Sequence, residues 1–267
     1  MKKTGAIPKI EVKDLYKSFG GNHVLQGVSF QVMKGESLVV LGGSGSGKSV
    51  LLKCILGLIQ PDRGSIKIDG KEVLSMSESE RDEVLTQFGM LFQGGALFDS
   101  LPVWKNVGFE LMYTKKFSDK KVKSVALQKL KAVGLGASVL DLSPSELSGG
   151  MQKRVGLARA IASDPEILFF DEPTTGLDPI MCGVIDNLIN KCVDDLGATA
   201  ISITHDIESA KFIADKIAML KEGKIVWMGP AENLDRAKNT FVQKFITGHM
   251  HPKRVERKPL VAAKKRS

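Results

Sequence analysis

The chain has 267 residues, 43% hydrophobic and 25% charged, which suits one large domain or two small ones built around a real core. No apolar run reaches the eighteen or so residues of a membrane span, and "MKKTGAIPKIEVKDL" carries two lysines with no apolar segment behind them, so neither a spanning helix nor a signal peptide is expected. The net charge of +8 would suit nucleic acid, but residues 249–267 hold seven Lys/Arg against one Glu and leave only +2 for the rest, which argues against a nucleic-acid groove.

In chain order, residues 9–32 predict a β-hairpin: "KIEVKDL" alternates, "FGGN" turns and "VLQGVSFQV" returns. "ESLVVL" is a short apolar strand that runs into "GGSGSGKS", and "SVLLKCILGLI" after it has helical character. "QPDRG" turns, "SIKIDG" is another short strand, and Ser77 with Glu80 fits a capping box opening a small helix. "LFQGGALFDSL", residues 91–101, follows neither a strand nor a helix period, and Gly94-Gly95 marks it as loop. Core filling is the expectation for Leu91 and Phe92, while Leu97 and Phe98 stay open. From Pro102, placed in a first helical turn, to about Ala162 the chain reads as helical. Within it Val122, Val125, Leu130 and Val133 form an apolar face over a lysine-rich one. "EILFFDE" is then a buried strand, 179–196 a helix, "TAISITH" a strand, 206–214 a helix, and "KIAMLKEGKIVWMG" a hairpin across Glu222-Gly223. Alternating strands and helices imply a mostly parallel sheet, preceded by a small antiparallel piece and interrupted by a helical insertion. Cys54, Cys182 and Cys192 show no metal-ligand spacing and read as reduced thiols, Cys54 as packing. The basic tail reads equally as a solvated terminus or as a segment docking on a partner protein or an anionic membrane.

Two motifs carry chemistry. Gly42, Gly43, Ser44, Gly45, Ser46, Gly47, Lys48, Ser49 and Val50 form a G-x-x-x-x-G-K-S loop between a strand and a helix, the context that makes this pattern credible. Its glycines let N–H groups turn inward around a phosphate, and the helix N-terminus adds its positive dipole end. Lys48 is expected to reach the β- and γ-phosphates and Ser49 to hold Mg²⁺. "ILFFDE", residues 167–172, is an apolar strand ending in two acids, with Asp171 placed to hold Mg²⁺ and Glu172 to deprotonate an attacking water. Together they predict an α/β P-loop NTPase core that binds a nucleotide and Mg²⁺, without saying which kind, with an N-terminal antiparallel β subdomain and a helical subdomain.

"LSGGMQKR", residues 147–154, narrows the kind. Here the sequence resembles the ATP-binding cassette (ABC) ATPases over about residues 9–245, with phosphate loop, glutamine loop, signature, acidic strand, "GLDP" and histidine switch in family order. Met151 stands where the family more often has Gln, and Ser148, Gly149 and Gly150 are intact. The resemblance implies that these three bind the γ-phosphate held by another cassette, so that a head-to-tail homodimer closes both sites. It further implies that Phe19 stacks on adenine, with a hairpin-core role as the alternative. Gln93 would touch Mg²⁺ and the attacking water, Asp178 would lie in the loop crossing the dimer, and His205 would contact the γ-phosphate. The domain expected is residues 1–247, with its helical subdomain at about 94–163, followed by the basic tail 248–267.

Three kinds of cassette protein compete. A ribosome-directed member usually has two cassettes in one chain, and a DNA-repair member splits its cassette with a long coiled coil, for which no heptads appear. A regulatory, non-hydrolysing cassette would lack Glu172 or His205. What remains is the motor subunit of a transporter, peripheral on the cytoplasmic face of the inner membrane, with an integral-membrane permease on another chain. "LFQGGALFDSLPVWKNV" together with "SELSGGMQKR" resembles the lipid-transport ATPases of the maintenance-of-lipid-asymmetry, or toluene-tolerance, type, although "LPV" departs from a frequent Thr-Val there. That resemblance implies phospholipid or a related lipid as cargo and an MCE-type lipid-binding protein as partner, with room for a small regulatory subunit. A motor for another substrate is the runner-up. On the transporter reading, Leu97, Phe98 and Trp104 offer a socket for a permease helix, with core packing as the alternative.

Overall fold

The computed structural model describes residues 6–250 of the chain, without the side chains of His249 and Met250. The basic segment beyond residue 250, on which the expectation for the tail falls, lies outside the described residues.

Two sheets organise the molecule. The first is antiparallel, built from β1 (Ile10–Phe19), β2 (Asn22–Val32), β4 (Arg63–Ile68) and β5 (Lys71–Glu72) in the order β2-β1-β4-β5. The second holds β3 (Ser37–Leu41), β6 (Phe88–Leu91), β7 (Ile167–Asp171), β8 (Thr199–Thr204), β9 (Lys216–Lys221) and β10 (Lys224–Pro230) in the order β10-β9-β3-β8-β7-β6. Every neighbouring pair in it is parallel except the β9–β10 hairpin. Its central strands are apolar on both sides, as a sheet covered on two faces requires. Alternate residues therefore feed two cores: Val39, Leu41, Leu168 and Phe170 point to one, and Leu38, Val40, Ile167 and Phe169 to the other. The second core is closed by the antiparallel sheet and by α1 (Lys48–Ile55).

The first core is closed by helices: α3 (Val103–Val107), α4 (Phe109–Tyr113), α5 (Asp119–Ala132), α6 (Gly149–Ala160), α7 (Pro179–Leu196), α8 (Ile207–Ile213) and α9 (Thr240–Met250). The small α2 (Glu78–Leu85) opens on the expected Ser77–Glu80 capping box. Val122 and Leu130 on α5 and Val133 at its C-terminal cap are fully buried as the periodicity requires, while Val125 is half-buried. Lys129 departs from the lysine-rich face: it is buried and paired with Asp164.

Two expectations, those for Phe92 and Pro102, need correction; one strand shows no local signal, and the alternative left open for Trp104 is decided. Strand β6 was hidden because its four residues, "FGML", are too short to show a period, and pairing with β7 is what makes them a strand. Phe92 follows it and is 37% exposed, so only Leu91 fills the core. Pro102 is the cap preceding α3 rather than part of its first turn. Trp104 is 8% exposed within the helical core, with the Lys105 and Lys123 ammonium groups over its ring, and so does not belong to an open socket. Phe19, in contrast, is 47% exposed, which removes its hairpin-core alternative.

Candidate nucleotide site

The site follows from strand order. The phosphate loop leaves β3, His205 follows β8, Glu172 follows β7, and Gln93 lies two residues beyond β6, so the carboxyl ends of four adjacent parallel strands deliver them to one place. This is where an open α/β sheet presents ligand-binding groups. There they line an open cavity of about 600 Å³ with Gly43, Ser44, Gly45, Ser46, Gly47, Lys48, Ser49, Val50, Val24 and Thr175. Gly42 is buried at the start of the loop.

Gly47 sits at φ 105°, and a Cβ there would stand 2.9 Å from the Val24 carbonyl oxygen, so only glycine brings the loop this close to β2. No side chain caps α1, which leaves its first N–H groups for an anion. Lys48 Nζ donates to the carbonyl oxygens of Gly42 (2.7 Å) and Gly43 (3.1 Å) and stands 3.6 Å from Glu172 Oε1.

Glu172 is held from several sides. Its Oε2 accepts hydrogen bonds from His205 Nδ1 (2.8 Å), Thr175 Oγ1 (3.0 Å) and Thr204 Oγ1 (3.4 Å). The His205 bond places that ring's proton on Nδ1. Asp171 beside it has a buried Oδ1 with no hydrogen-bond partner. Burial, and then the neighbouring Glu172 charge, push the Asp171 carboxyl up from its ordinary range, against the pull of Lys53, Lys48 and Lys153. Asp171 does not itself line the cavity, but its unpartnered carboxylate oxygen, together with the Ser49 hydroxyl and the Gln93 amide on the lining, is oxygen chemistry that suits Mg²⁺. Among the described residues no group of three His, Cys, Asp or Glu is placed to hold a metal ion.

The remaining expected residues are not brought to this cavity. Ser148 caps α6, accepting a bond from the Met151 N–H at 3.3 Å, and Asp178 caps α7, accepting from the N–H groups of Ile180 and Met181 at 3.0 Å. Both are exposed, as is Gly149. The two helix starts touch, since a Cβ at Gly150 would meet Met181 Cε at 2.7 Å. Phe19 is also outside the lining, on the hairpin whose Val24 forms part of it.

Sequence reasoning passed over several residues. Thr175, in the loop after β7, and Thr204, at the end of β8, steady Glu172; a hydroxyl in such places gives no sign of its partner. Fully buried Asn106 accepts the Phe98 N–H (2.7 Å) and donates to the carbonyl oxygens of Phe98 (3.1 Å) and Leu101 (2.8 Å). Arg159 on α6 donates to the carbonyl oxygens of Gly95 (2.7 Å) and Ala96 (2.8 Å). The loop after Gln93 is thus clamped between α3 and α6. Burial raises the Cys54 thiol to about 11, in keeping with a packing role.

Comparison with known proteins agrees with this geometry. The ABC transporter family pattern matches residues 25–175. The "Intermembrane phospholipid transport system ATP-binding protein MlaF" of Haemophilus influenzae is 41% identical over 240 residues, covering 90% of each chain. "Protein TRIGALACTOSYLDIACYLGLYCEROL 3, chloroplastic" of Arabidopsis thaliana is 42% identical over 90% of this chain and 74% of its own. The "Probable ribonucleotide transport ATP-binding protein mkl" of Mycobacterium leprae is 41% identical over 90% of this chain and 69% of its own. Among solved structures, the ATP-binding cassette MJ0796, as a dimer in a post-hydrolysis state bound to ADP and Pi, superposes with a TM-score of 0.76 at 31% identity, over 83% of this chain and 98% of that one. A phosphate loop, an acidic strand end and a histidine gathered at adjacent strand ends, with a signature helix beside them, are therefore those of an ATP-hydrolysing cassette, and this chain belongs to the ABC transporter family.

Proposed function

We propose that the chain is the ATP-hydrolysing motor of a phospholipid transporter, working as a homodimer on the cytoplasmic face of a membrane that holds a separate permease. An MCE-type lipid-binding protein would carry the cargo. The observation that carries the cargo class is the 41% identity to MlaF over 90% of both chains. A ribonucleotide cargo, suggested by the mkl name, rests on a match to 69% of that relative's length. Among the described residues no helix is long and apolar enough to cross a membrane.

In this reading the N–H groups of the phosphate loop and of the first turn of α1 cradle the phosphates. Lys48 leaves the Gly42 and Gly43 carbonyl oxygens for the β- and γ-phosphates. Ser49, Gln93 and Asp171 would hold Mg²⁺, which when bound neutralises charge on the phosphate oxygens. Glu172 takes a proton from the attacking water, and its bonds to His205, Thr175 and Thr204 aim it. Ser148 and Gly149, exposed at the N-terminus of α6, and the half-buried Gly150 after them meet the γ-phosphate of the partner's ATP, and Asp178 lies where the two chains cross. Phe19 stacks on the adenine.

The permease seat is the aromatic row of Phe98, Phe109 and Tyr113, exposed at its two ends and half-buried at Phe109. Phe98 is 43% exposed, its ring 4.6 Å from Phe109, which lies 4.6 Å from Tyr113. An aromatic row of this kind suits a partner's helix. The Phe98→Asp chain should melt within a few degrees of wild type and bind ATP, yet lose at least tenfold in assembly with its permease. Trp104→Asp should instead lower the melting temperature by many degrees, because it buries an unpaired carboxylate. Purification of the native complex from its membrane, followed by lipid analysis, tests the whole reading. Phospholipid with a permease chain supports it, and a lipid-free complex carrying another cargo overturns the substrate class.

A further inference from the structure

Lys153, on α6, is 4% exposed, makes no close ion pair among the described residues, and has the charges of Asp171 and Glu172 to offset its burial at longer range. Lysine is seldom buried this deeply without a paired charge. Its Nζ donates to the backbone carbonyl oxygen of Glu172 at 3.4 Å. Glu172 has φ 47°, in the left-handed region, which a residue with a Cβ occupies only when its surroundings hold it there. The Glu172 N–H donates to the Ile203 carbonyl oxygen at 2.9 Å, and its carboxylate is held by Thr175, Thr204 and His205. Those ties all come from the strand ends and the loops beside them. The tie from Lys153 comes from elsewhere, from the helix that begins after Ser148.

We propose that Lys153 is a positioning residue that fixes the strained backbone of Glu172 and links it to the helix whose first residues reach the other cassette's nucleotide. Lys153 lies five positions beyond Ser148, about 7.5 Å along the helix. One rigid element thereby touches both ATP sites of the dimer: the partner's at its N-terminus and this chain's own at Lys153. If α6 shifts when Ser148 engages a phosphate, the Glu172 carbonyl is drawn with it. The proposal rests on Glu172 serving this chain's own ATP and Ser148 serving the partner's.

The test compares Lys153→Met, which removes the donor, with Lys153→Gln, which keeps an N–H donor without the charge. Both keep most of the buried stem but remove a charge that faces Asp171 and Glu172, so the folded fraction of each is measured by thermal melting before activity is compared. In the full-length chain the Met variant should lose at least tenfold in kcat for ATP hydrolysis with KM and nucleotide affinity within about twofold, and the Gln variant should recover a substantial part. A Met variant with kcat within twofold of wild type overturns the proposal. So does a loss of activity that only tracks a loss of folded protein, or a Gln variant as slow as the Met variant.

Location is tested in a mixed dimer of one Lys48→Ala chain and one Ser148→Arg chain, whose working site uses the Glu172 of the second. Lys153→Met placed in the Ser148→Arg chain should slow hydrolysis at least tenfold more than the same change in the Lys48→Ala chain. An equal effect from either chain overturns the proposal. A Glu172→Gln chain that hydrolyses normally, or a mixed dimer inactive without any change at Lys153, marks instead a failure of the readings beneath it.

Discussion

Glu172→Gln is expected to abolish steady-state hydrolysis while leaving ATP binding within about twofold. The amide cannot accept a proton from water, and loss of a general base costs roughly 10²–10⁴ in rate. It keeps an oxygen that can still accept from His205 and the two threonine hydroxyls, so the surroundings should not collapse. The phosphate contacts are made by Lys48 and the loop, which the change does not touch. ATP that binds without being consumed should then hold the closed dimer by mass action. Two measurements on the purified chain check this: phosphate release at saturating ATP, and the dimer fraction by size-exclusion chromatography with and without ATP. Near wild-type phosphate release would remove Glu172 from the role of base.

Ser148→Arg should be equally severe for turnover and nearly silent for binding to the single chain. Ser148 is exposed and lies outside the cavity of its own chain, so no contact to that chain's nucleotide is lost. Arginine there puts a bulky side chain where two copies must close, and removes the hydroxyl that caps α6. A homodimer of this variant, and one of Lys48→Ala, should each be inactive. Mixed in one dimer, they leave one site doubly damaged and the other intact, and hydrolysis should reappear. The checks are nucleotide titration of the isolated Ser148→Arg chain and phosphate release by the mixed population. Loss of nucleotide by the single chain would place Ser148 in its own chain's site and end the head-to-tail arrangement.

Some of this molecule could be read directly along the chain. The parallel sheet, the hairpins at both ends, the Ser77–Glu80 cap and the helix at 179–196 are local signals: a period of 2 or of 3.6, a turn residue or a capping side chain. So was the phosphate loop, because its chemistry uses backbone N–H groups and a lysine from nine consecutive residues. The acidic pair at the end of "ILFFDE" was equally visible, since adjacency in sequence is all that it requires.

What the tertiary structure alone decided depends on distance across the chain. Strand order β3-β8-β7-β6 brings Lys48, His205, Glu172 and Gln93 together from segments up to 157 residues apart, and no local period encodes strand order. Burial follows the same rule. Phe92 and Trp104 are both large and aromatic, and their fates differ because one stands just past the edge strand β6 while the other faces α5 and α6. The ties that aim the site, from Thr175 and Thr204 to Glu172, from Asn106 and Arg159 to the loop after Gln93, and from Lys153 to the Glu172 carbonyl, are hydrogen bonds whose donors are ordinary residues in the sequence. A donor's role is set by the acceptor the fold places beside it. The sequence determined by itself which groups can hold and cleave a phosphate, and the packing of α3 and α6 against the sheet decided how those groups are aimed.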